Sequence, residues 1–525
     1  MDTIGETLEA AQRLYDAGQL AEAKRLYVDV LKSDARQPGA WHGLGLIAQA
    51  CGDSARAVEC LSRAVLLRGA EAVYHNHLGA ALHAQKRLND AATSYRRAVA
   101  LKPDYAEAHC NLGSAFKDLS QLDDAIACYR RAIELNPNLA EAHFNLGVIR
   151  QQQSRIEDAL HCYERAVAAK PDYWHSQNNL GTVYKAVGRF GDALAAYERA
   201  LACQGDVAEA HRNRALLRLL LGNYEEGWPE YEWRWQVAGA TRPNVSQPRW
   251  QGQALPTGTI LLKSEQGLGD TIQFIRYAPL VKERSRARVL LECSTSLRPL
   301  LSGVDGLDGF AEEPREQERF DCFVPLLSLP GVFQTRVNTI PSRVPYLAAD
   351  PVRVARWREI LAAYPGYKVG IAWQGSPGYA GDATRSIPLA MFAPLASCPG
   401  VSLFSLQKQH GREQLAEVKS LMSVNDFGES LDADAAFVDT AAIMTQLDLV
   451  ITSDTAVAHL AGALGKPVWV VLQRVPDWRW LLEREDSPWY PTARLFRQKR
   501  AGDWLAVFDR IAIELRSLSG TARLR

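Results

Sequence analysis

Four short segments in the second half of this chain combine residue types that could do chemistry. Each follows an apolar, strand-like run, and ligands of open α/β sheets bind beyond the carboxyl ends of strands. The first is Gln266-Gly-Leu-Gly-Asp270. Gly267 and Gly269 let backbone approach a ligand closely, and the helical pattern behind them favours an anion at its amino terminus. Asp270 stands at that terminus, either as a general base or only as the helix cap. The second is Trp373-Gln-Gly-Ser-Pro377, with Arg385-Ser-Ile-Pro388 beyond it. Gly375 and Ser376 offer amides and a hydroxyl to phosphate oxygens, and Arg385 offers a two-pronged fork. The plain alternative for Arg385 is a solvated loop arginine. The third is Ser405-Leu-Gln-Lys408, where Lys408 either neutralises a diphosphate leaving group or is an ordinary surface lysine. The fourth runs from Leu449 to His459: a strand, then Ser453-Asp454-Thr455, then a helix. Thr455 and the amides of Ala456 and Val457 make an anion site at a helix start. Asp454 would repel a phosphate, so it fixes the turn or binds a sugar hydroxyl. His459 lies one turn from Thr455 and either faces the same cleft or is structural.

The elements that position these residues read as two α/β units. Strands are expected at Thr259 to Lys263, Arg288 to Glu292, Gly309 to Ala311 and Cys322 to Pro325. A second set is expected at Lys368 to Trp373, Val401 to Leu406, near Asn425 to Phe427, at Leu449 to Thr452 and at Pro467 to Leu472. Helices fall between them, among them Thr271 to Arg284, Val352 to Ala363, Phe437 to Gln446, Ala456 to Leu464 and Trp504 to Leu518. Strand–turn–helix–strand order implies parallel sheets.

The first half repeats every 34 residues. Gly45, Gly79, Gly113, Gly147 and Gly181 keep that step, as do Tyr95, Tyr129, Tyr163, Tyr197 and Tyr231. Ala23 to Ala193 and Ala64 to Ala200 form two further series, and Pro103, Pro137 and Pro171 close three repeats. The small residues let antiparallel helices approach, the tyrosine is expected to fill the gap towards the neighbouring pair, and the proline ends the second helix. Seven helix pairs are expected between residues 4 and 240. Asn111, Asn145, Asn179 and Asn213 share one position on the first helix of each repeat. An asparagine ladder can grip an extended peptide backbone; Asn is otherwise there for solubility or packing. The aromatic stretch Gly227 to Trp235 is expected to seal the last helix against the next domain.

Lys+Arg and Asp+Glu both total 60, which argues against a chain that coats nucleic acid or anionic membrane. The first ten residues lack a signal-peptide pattern, and no apolar run is long enough for a transmembrane segment. The nine cysteines are scattered without a C-x-x-C pair, so neither a zinc site nor a disulfide scaffold is expected, and the reading is a cytoplasmic protein. Cys162, His161 and His175 fit no ligand spacing, so no metal site is expected.

The repeats resemble the tetratricopeptide (TPR) pattern, and the asparagine series resembles the ladder of O-linked N-acetylglucosamine transferases. Gly267-Leu-Gly-Asp270, the Gly-Ser turn with its downstream Arg385, Ser405-Leu-Gln-Lys408 and the stretch from Ser453 to Pro467 resemble glycosyltransferase family 9, the lipopolysaccharide heptosyltransferases. They are closest to bacterial proteins that join such a domain to TPR repeats. The resemblance implies an α-solenoid followed by an α/β GT-B fold of two Rossmann-like units. The implied domains are 4–240 for the array, 241–258 for a linker, 259–350 for the acceptor-side unit and 351–525 for the nucleotide-sugar unit. It further implies an inverting, metal-independent glycosyltransferase that uses a nucleotide-diphosphate sugar as substrate, with no cofactor. Asp270 would be its base and Lys408 its diphosphate-neutralising lysine. Asp454, Thr455, Ala456 and His459 would lie on its donor-binding segment, and a protein or peptide would lie in the TPR groove. Two departures stand against the family pattern. The loop Gly378 to Thr384 lacks basic residues, and heptosyltransferases lack the repeats. The competing reading is a non-catalytic TPR scaffold whose degenerate GT-B module still holds a nucleotide.

Overall fold

The computed structural model describes residues 4–311, 320–378 and 381–522. The departure in the Gly378 to Thr384 loop falls partly outside them, at Tyr379 and Ala380. The chain divides into two compact units, Met1–Val207 and Ala208–Arg525.

The first unit is a succession of helix pairs: α1 (Ile4–Asp16) with α2 (Leu20–Ser33), α3 (Pro38–Ala50) with α4 (Ser54–Leu67), and α5 (Ala72–Ala84) with α6 (Leu88–Leu101). These are followed by α7 (Ala106–Asp118) with α8 (Leu122–Leu135), α9 (Ala140–Gln152) with α10 (Ile156–Ala169), and α11 (Trp174–Ala186) with α12 (Phe190–Cys203). A seventh pair, α13 (Ala208–Leu220) and α14 (Tyr224–Tyr231), belongs to the second unit. The 34-residue series now have a cause. A Cβ on Gly79, Gly113, Gly147 or Gly181 would lie 2.6–2.8 Å from the ring of Tyr95, Tyr129, Tyr163 or Tyr197. Each tyrosine therefore packs on the glycine of its own hairpin, and the Tyr163 hydroxyl also reaches Asn179 of the next pair. The ring lies flat where a side chain would otherwise stand, and all four tyrosines are buried. A second series stitches the start of one hairpin to the end of the one before. His75, His109, His143 and Gln177 bond the carbonyls of Gly69, Pro103, Pro137 and Pro171 at 3.0–3.2 Å. Gly181→Ala is expected to destabilise the repeats by about 1–2 kcal/mol, because overpacking against Tyr197 outweighs the helix propensity gained. Urea unfolding followed by circular dichroism measures it.

After α14 the second unit forms two parallel sheets. The first contains β1 (Thr259–Lys263), β2 (Arg288–Glu292), β3 (Gly309–Phe310) and β4 (Cys322–Pro325), in the order β3-β2-β1-β4. Helices α15 (Leu268–Phe274) and α16 (Ala278–Ser285) cross from β1 to β2. A single helix from 271 to 284 was expected, but a tight turn at Ile275–Tyr277 and Pro279 at the start of α16 divide it. Helix α17 (Pro351–Ala362) leads to the second sheet, which has the order β6-β5-β7-β8-β9. Its strands are β5 (Tyr367–Ala372), β6 (Val401–Ser405), β7 (Leu449–Ser453), β8 (Val468–Leu472) and β9 (Ala493–Arg497). Helix α18 (Val438–Gln446) precedes β7, α19 (Ala456–Ala463) joins β7 to β8, and α20 (Trp504–Ala522) closes the fold. Strand β9 was not expected from the sequence. The segment near Asn425 makes one bridge to Phe404 and is not a strand. β7 and β8 are buried along their whole length, as parallel strands covered on both faces must be. A TPR solenoid thus precedes a pair of parallel α/β domains, consistent with a GT-B fold.

Candidate active site

The site is built where the first α/β domain meets the second. The turn Gly267-Leu-Gly-Asp270 opens α15, and α19 opens at Ala456. A Cβ placed on Gly269 would lie 3.1 Å from Ala456 Cα and 3.1 Å from His459 Cδ2. The two segments singled out by the sequence are therefore in direct contact, and Gly269 serves the approach of α15 to α19.

Asp270 accepts a hydrogen bond from the Gly267 amide at 2.9 Å, so it does act as the cap of α15. Its other oxygen accepts from Arg479. Burial pushes its carboxyl above the usual range, against the lowering pull of Arg479 and of the Gly267 amide. A carboxylate has about four lone-pair sites, so capping and ion pairing leave room for a proton.

Asp454 and Thr455 lie between β7 and α19. Arg385 reaches this turn from the other loop: its Nη1 donates to the Asp454 carbonyl at 2.9 Å, and its Nε donates to Asp382 at 3.1 Å. A Cβ on Gly375 would lie 2.3 Å from Asp382 Oδ1 and 2.4 Å from Arg385 Nη2. Gly375 is thus required by the Asp382–Arg385 pair, and its amide donates to Ser386 Oγ at 3.2 Å. Burial and the neighbouring Asp477 push the Asp454 carboxyl up to about 6, against Arg385 and Arg479. Helix α19 has no side-chain cap at Thr455, and among the described residues the buried Ser453 hydroxyl has no hydrogen-bond partner. His459 is buried, its Nδ1 3.0 Å from the Tyr490 hydroxyl and its ring stacked on Trp480. Burial, with Arg479, Arg276 and Arg385 nearby, holds it well below the usual histidine range, so it is neutral.

Lys408 is exposed and donates to the backbone carbonyl of Asp432. Among the described residues, no hydrogen bond or ion pair joins it to the cluster around Asp270. Its neighbour Gln407 organises this loop. Gln407 accepts from the amides of Trp373 and Gln374 at 3.0 and 3.1 Å, and donates to the carbonyls of Gln374 and His410, both at 2.8 Å. It thereby ties the Lys408 loop to the Gly375-Ser376 loop. Sequence reasoning passed over Gln407, as it did the whole of Asp477-Trp-Arg-Trp480. That segment's alternation of charge and tryptophan just after β8 was the available signal.

In the repeats, Asn111 Nδ2 donates to Asn76 Oδ1 at 3.0 Å, and Asn145 bonds Glu141 O and Lys117 at 3.0 and 2.9 Å. Asn179 donates to the Tyr163 hydroxyl at 3.3 Å. Each is half-buried, and most of these bonds run to a neighbouring helix of the array. Asn213 lies on α13, in the second compact unit. Among the described residues no cluster of three or more His, Cys, Asp or Glu is placed to hold a metal ion, and no helix is long and apolar enough to cross a membrane.

The paired-helix repeats and the second α/β domain are each matched by a known family. Residues 396–472 match glycosyltransferase family 9 (heptosyltransferase), and residues 38–70, 79–154, 138–205 and 178–242 match tetratricopeptide repeats. The chain is 31% identical over 324 residues to Protein FlbA of Caulobacter vibrioides. That alignment covers 58% of this chain and 54% of FlbA, so the chain spans about half the length of this curated relative. Among solved structures, MamA is 25% identical, with a TM-score of 0.29 over 31% of this chain and 94% of its own. The pilF protein of Pseudomonas aeruginosa is 17% identical, with a TM-score of 0.37 over 40% of this chain and 96% of its own. The family 9 match includes Lys408 and the stretch Ser453 to His459 but stops short of Asp270, Arg385 and Arg479.

Proposed function

We propose that this chain is an inverting, metal-independent glycosyltransferase that moves a sugar from a nucleotide-diphosphate donor to an acceptor hydroxyl. The contact of the Gly267–Asp270 turn with the first turn of α19 carries this reading, because it sets a carboxylate beside an uncapped helix start. The donor diphosphate lies at that helix start, where backbone amides and the helix dipole favour negative charge. Asp270 takes the proton of the acceptor hydroxyl, whose oxygen forms the new bond to the anomeric carbon. The bond from that carbon to the phosphate oxygen breaks, and its electron pair leaves on the diphosphate. Arg385 and Lys408 balance that charge; Lys408 exchanges the Asp432 carbonyl for a phosphate oxygen. Attack opposite the leaving group inverts the anomeric centre. The inverting course and the lack of a metal rest on the resemblance to family 9. The TPR array supplies the protein or peptide acceptor or partner, gripped along Asn111, Asn145 and Asn179.

Incubation with a set of labelled sugar nucleotides and a cell lysate tests the reading; no transfer from any donor would sink it. UDP, ADP or GDP is expected to raise the melting temperature. Lys408→Ala is expected to weaken that nucleotide's binding about tenfold or more, the worth of one charge-assisted hydrogen bond. An unchanged affinity would remove Lys408 from the donor site.

A further inference from the structure

Arg479 is a buried guanidinium that uses each of its three nitrogens on a different side chain. Nη2 donates to Asp270, Nε to Gln273 Oε1 at 2.6 Å and Nη1 to Asp477 Oδ1 at 2.8 Å. Asp270 and Gln273 lie on α15 of the first α/β domain, and Asp477 lies on the loop after β8 of the second. The guanidinium also lies over the Trp478 ring, 4.4 Å from its centre. A planar fork held on three sides and stacked on a fourth has one orientation, unlike a flexible ammonium. Asp477 supplies a counter-charge of its own, so Arg479 does not depend on Asp270 to be tolerated in the interior.

We infer that Arg479 is the positioning residue for Asp270: it reaches from the second α/β domain to fix the carboxylate's orientation, so that Asp270 is set for proton transfer only while the two domains are together. The inference rests on Asp270 being the base proposed above. Other ionisable groups also face the pair. Asp477 faces it from the same loop as Arg479, Tyr231 from α14, and Asp454 and His459 from the β7–α19 turn and α19. The charge of Arg385 acts on Asp454 and His459, and that of Arg276 on His459.

The test uses the full chain and whichever donor supports transfer. Arg479→Gln is expected to lower kcat about 100-fold, the scale of a misplaced catalytic group, with little change in donor KM. The acid limb of kcat/KM should move to higher pH, because a cation no longer opposes the effect of burial on Asp270. Arg479→Lys should keep the limb near its original position, and added guanidine should restore part of the Arg479→Gln rate. A loss expressed in KM, or an unmoved limb, overturns the inference while leaving the transferase reading intact. Absence of transfer by the unaltered protein overturns both. A melting-temperature cycle reads the pairing without activity. Asp270→Asn should lower the melting temperature in the Arg479 background and leave or raise it in Arg479→Gln. An equal change in both backgrounds overturns the pairing.

Discussion

Asp270→Asn is expected to lower sugar transfer by about 10²–10⁴-fold, the usual contribution of a positioned acid–base group. The amide is nearly isosteric, and its oxygen can still accept from the Gly267 amide. It cannot take the acceptor's proton, and its NH2 group would face Arg479 instead of pairing with it. Arg479 keeps its bonds to Asp477 and Gln273, so the variant should fold. Its stability should fall by about 1–3 kcal/mol for one lost hydrogen-bond partner of a charged group. Nucleotide-diphosphate affinity should stay near its original value, since the donor lies against α19 and the loops of Arg385 and Lys408. Loss of transfer with retained nucleotide binding separates a base from a structural cap. The pH dependence carries the same logic. A base must be ionised, so activity falls as pH falls through the Asp270 pKa. Burial raises that pKa, so the limb should lie above the ordinary aspartate value of about 3.9. Transfer that survives Asp270→Asn unchanged would leave Asp270 as only the cap of α15.

Much of the fold was legible because several constraints repeat in register. Glycine and tyrosine sixteen residues apart recur because each ring needs a bare backbone opposite it, and a 34-residue period makes that need visible. The tyrosine's contact with the glycine of its own hairpin was not read from the sequence, because a period reports that a residue recurs, not which neighbours it touches. β7 and β8 were legible as unbroken apolar runs bounded by turn residues. β9 was not, because Arg494 and Arg497 interrupt its apolar pattern where it lies at the edge of the sheet. The same division holds in the site. Strand–turn–helix signals pointed to the Asp270 and Thr455 turns, since local geometry leaves a local pattern. Arg479 lies 209 residues from its partner Asp270, and a pairing at that distance leaves no mark on spacing. Gln407 was passed over beside Lys408 because charge drew attention, although the buried amide makes four backbone hydrogen bonds.

A fragment that begins at Ala208 is expected to unfold cooperatively, whereas one that begins at Thr241, at the linker expected from the sequence, is expected to lose fixed tertiary structure. The reason is that α14 and the turn after it form part of the second compact unit. Trp228 is buried, donates its indole N–H to the Thr335 carbonyl at 3.0 Å and stands edge-on to Trp478 with ring centres 5.2 Å apart. The Tyr231 hydroxyl accepts from Gln266 at 3.0 Å, directly before the Gly267–Asp270 turn. Arg234 grips Glu265 with two nitrogens at 2.9 and 3.0 Å and reaches Ser328 at 2.7 Å. Both members of that ion pair are buried. Cutting at residue 241 strips Glu265 of its cation, and breaking a buried pair from one side costs about 3–5 kcal/mol. It also uncovers Trp478, and loss of the Trp228 side chain alone is worth about 3–5 kcal/mol. Together these approach the whole stability of an ordinary domain, about 5–15 kcal/mol. Thermal unfolding, near-ultraviolet circular dichroism and dye binding distinguish a packed fragment from one with loosened side chains. A cooperative transition in the fragment from Thr241, matching that of the fragment from Ala208, would make the last helix pair dispensable. The expected contrast makes it the base on which the Asp270 turn is built: Tyr231 and Arg234 hold the two residues, Gln266 and Glu265, that lead the chain into Gly267.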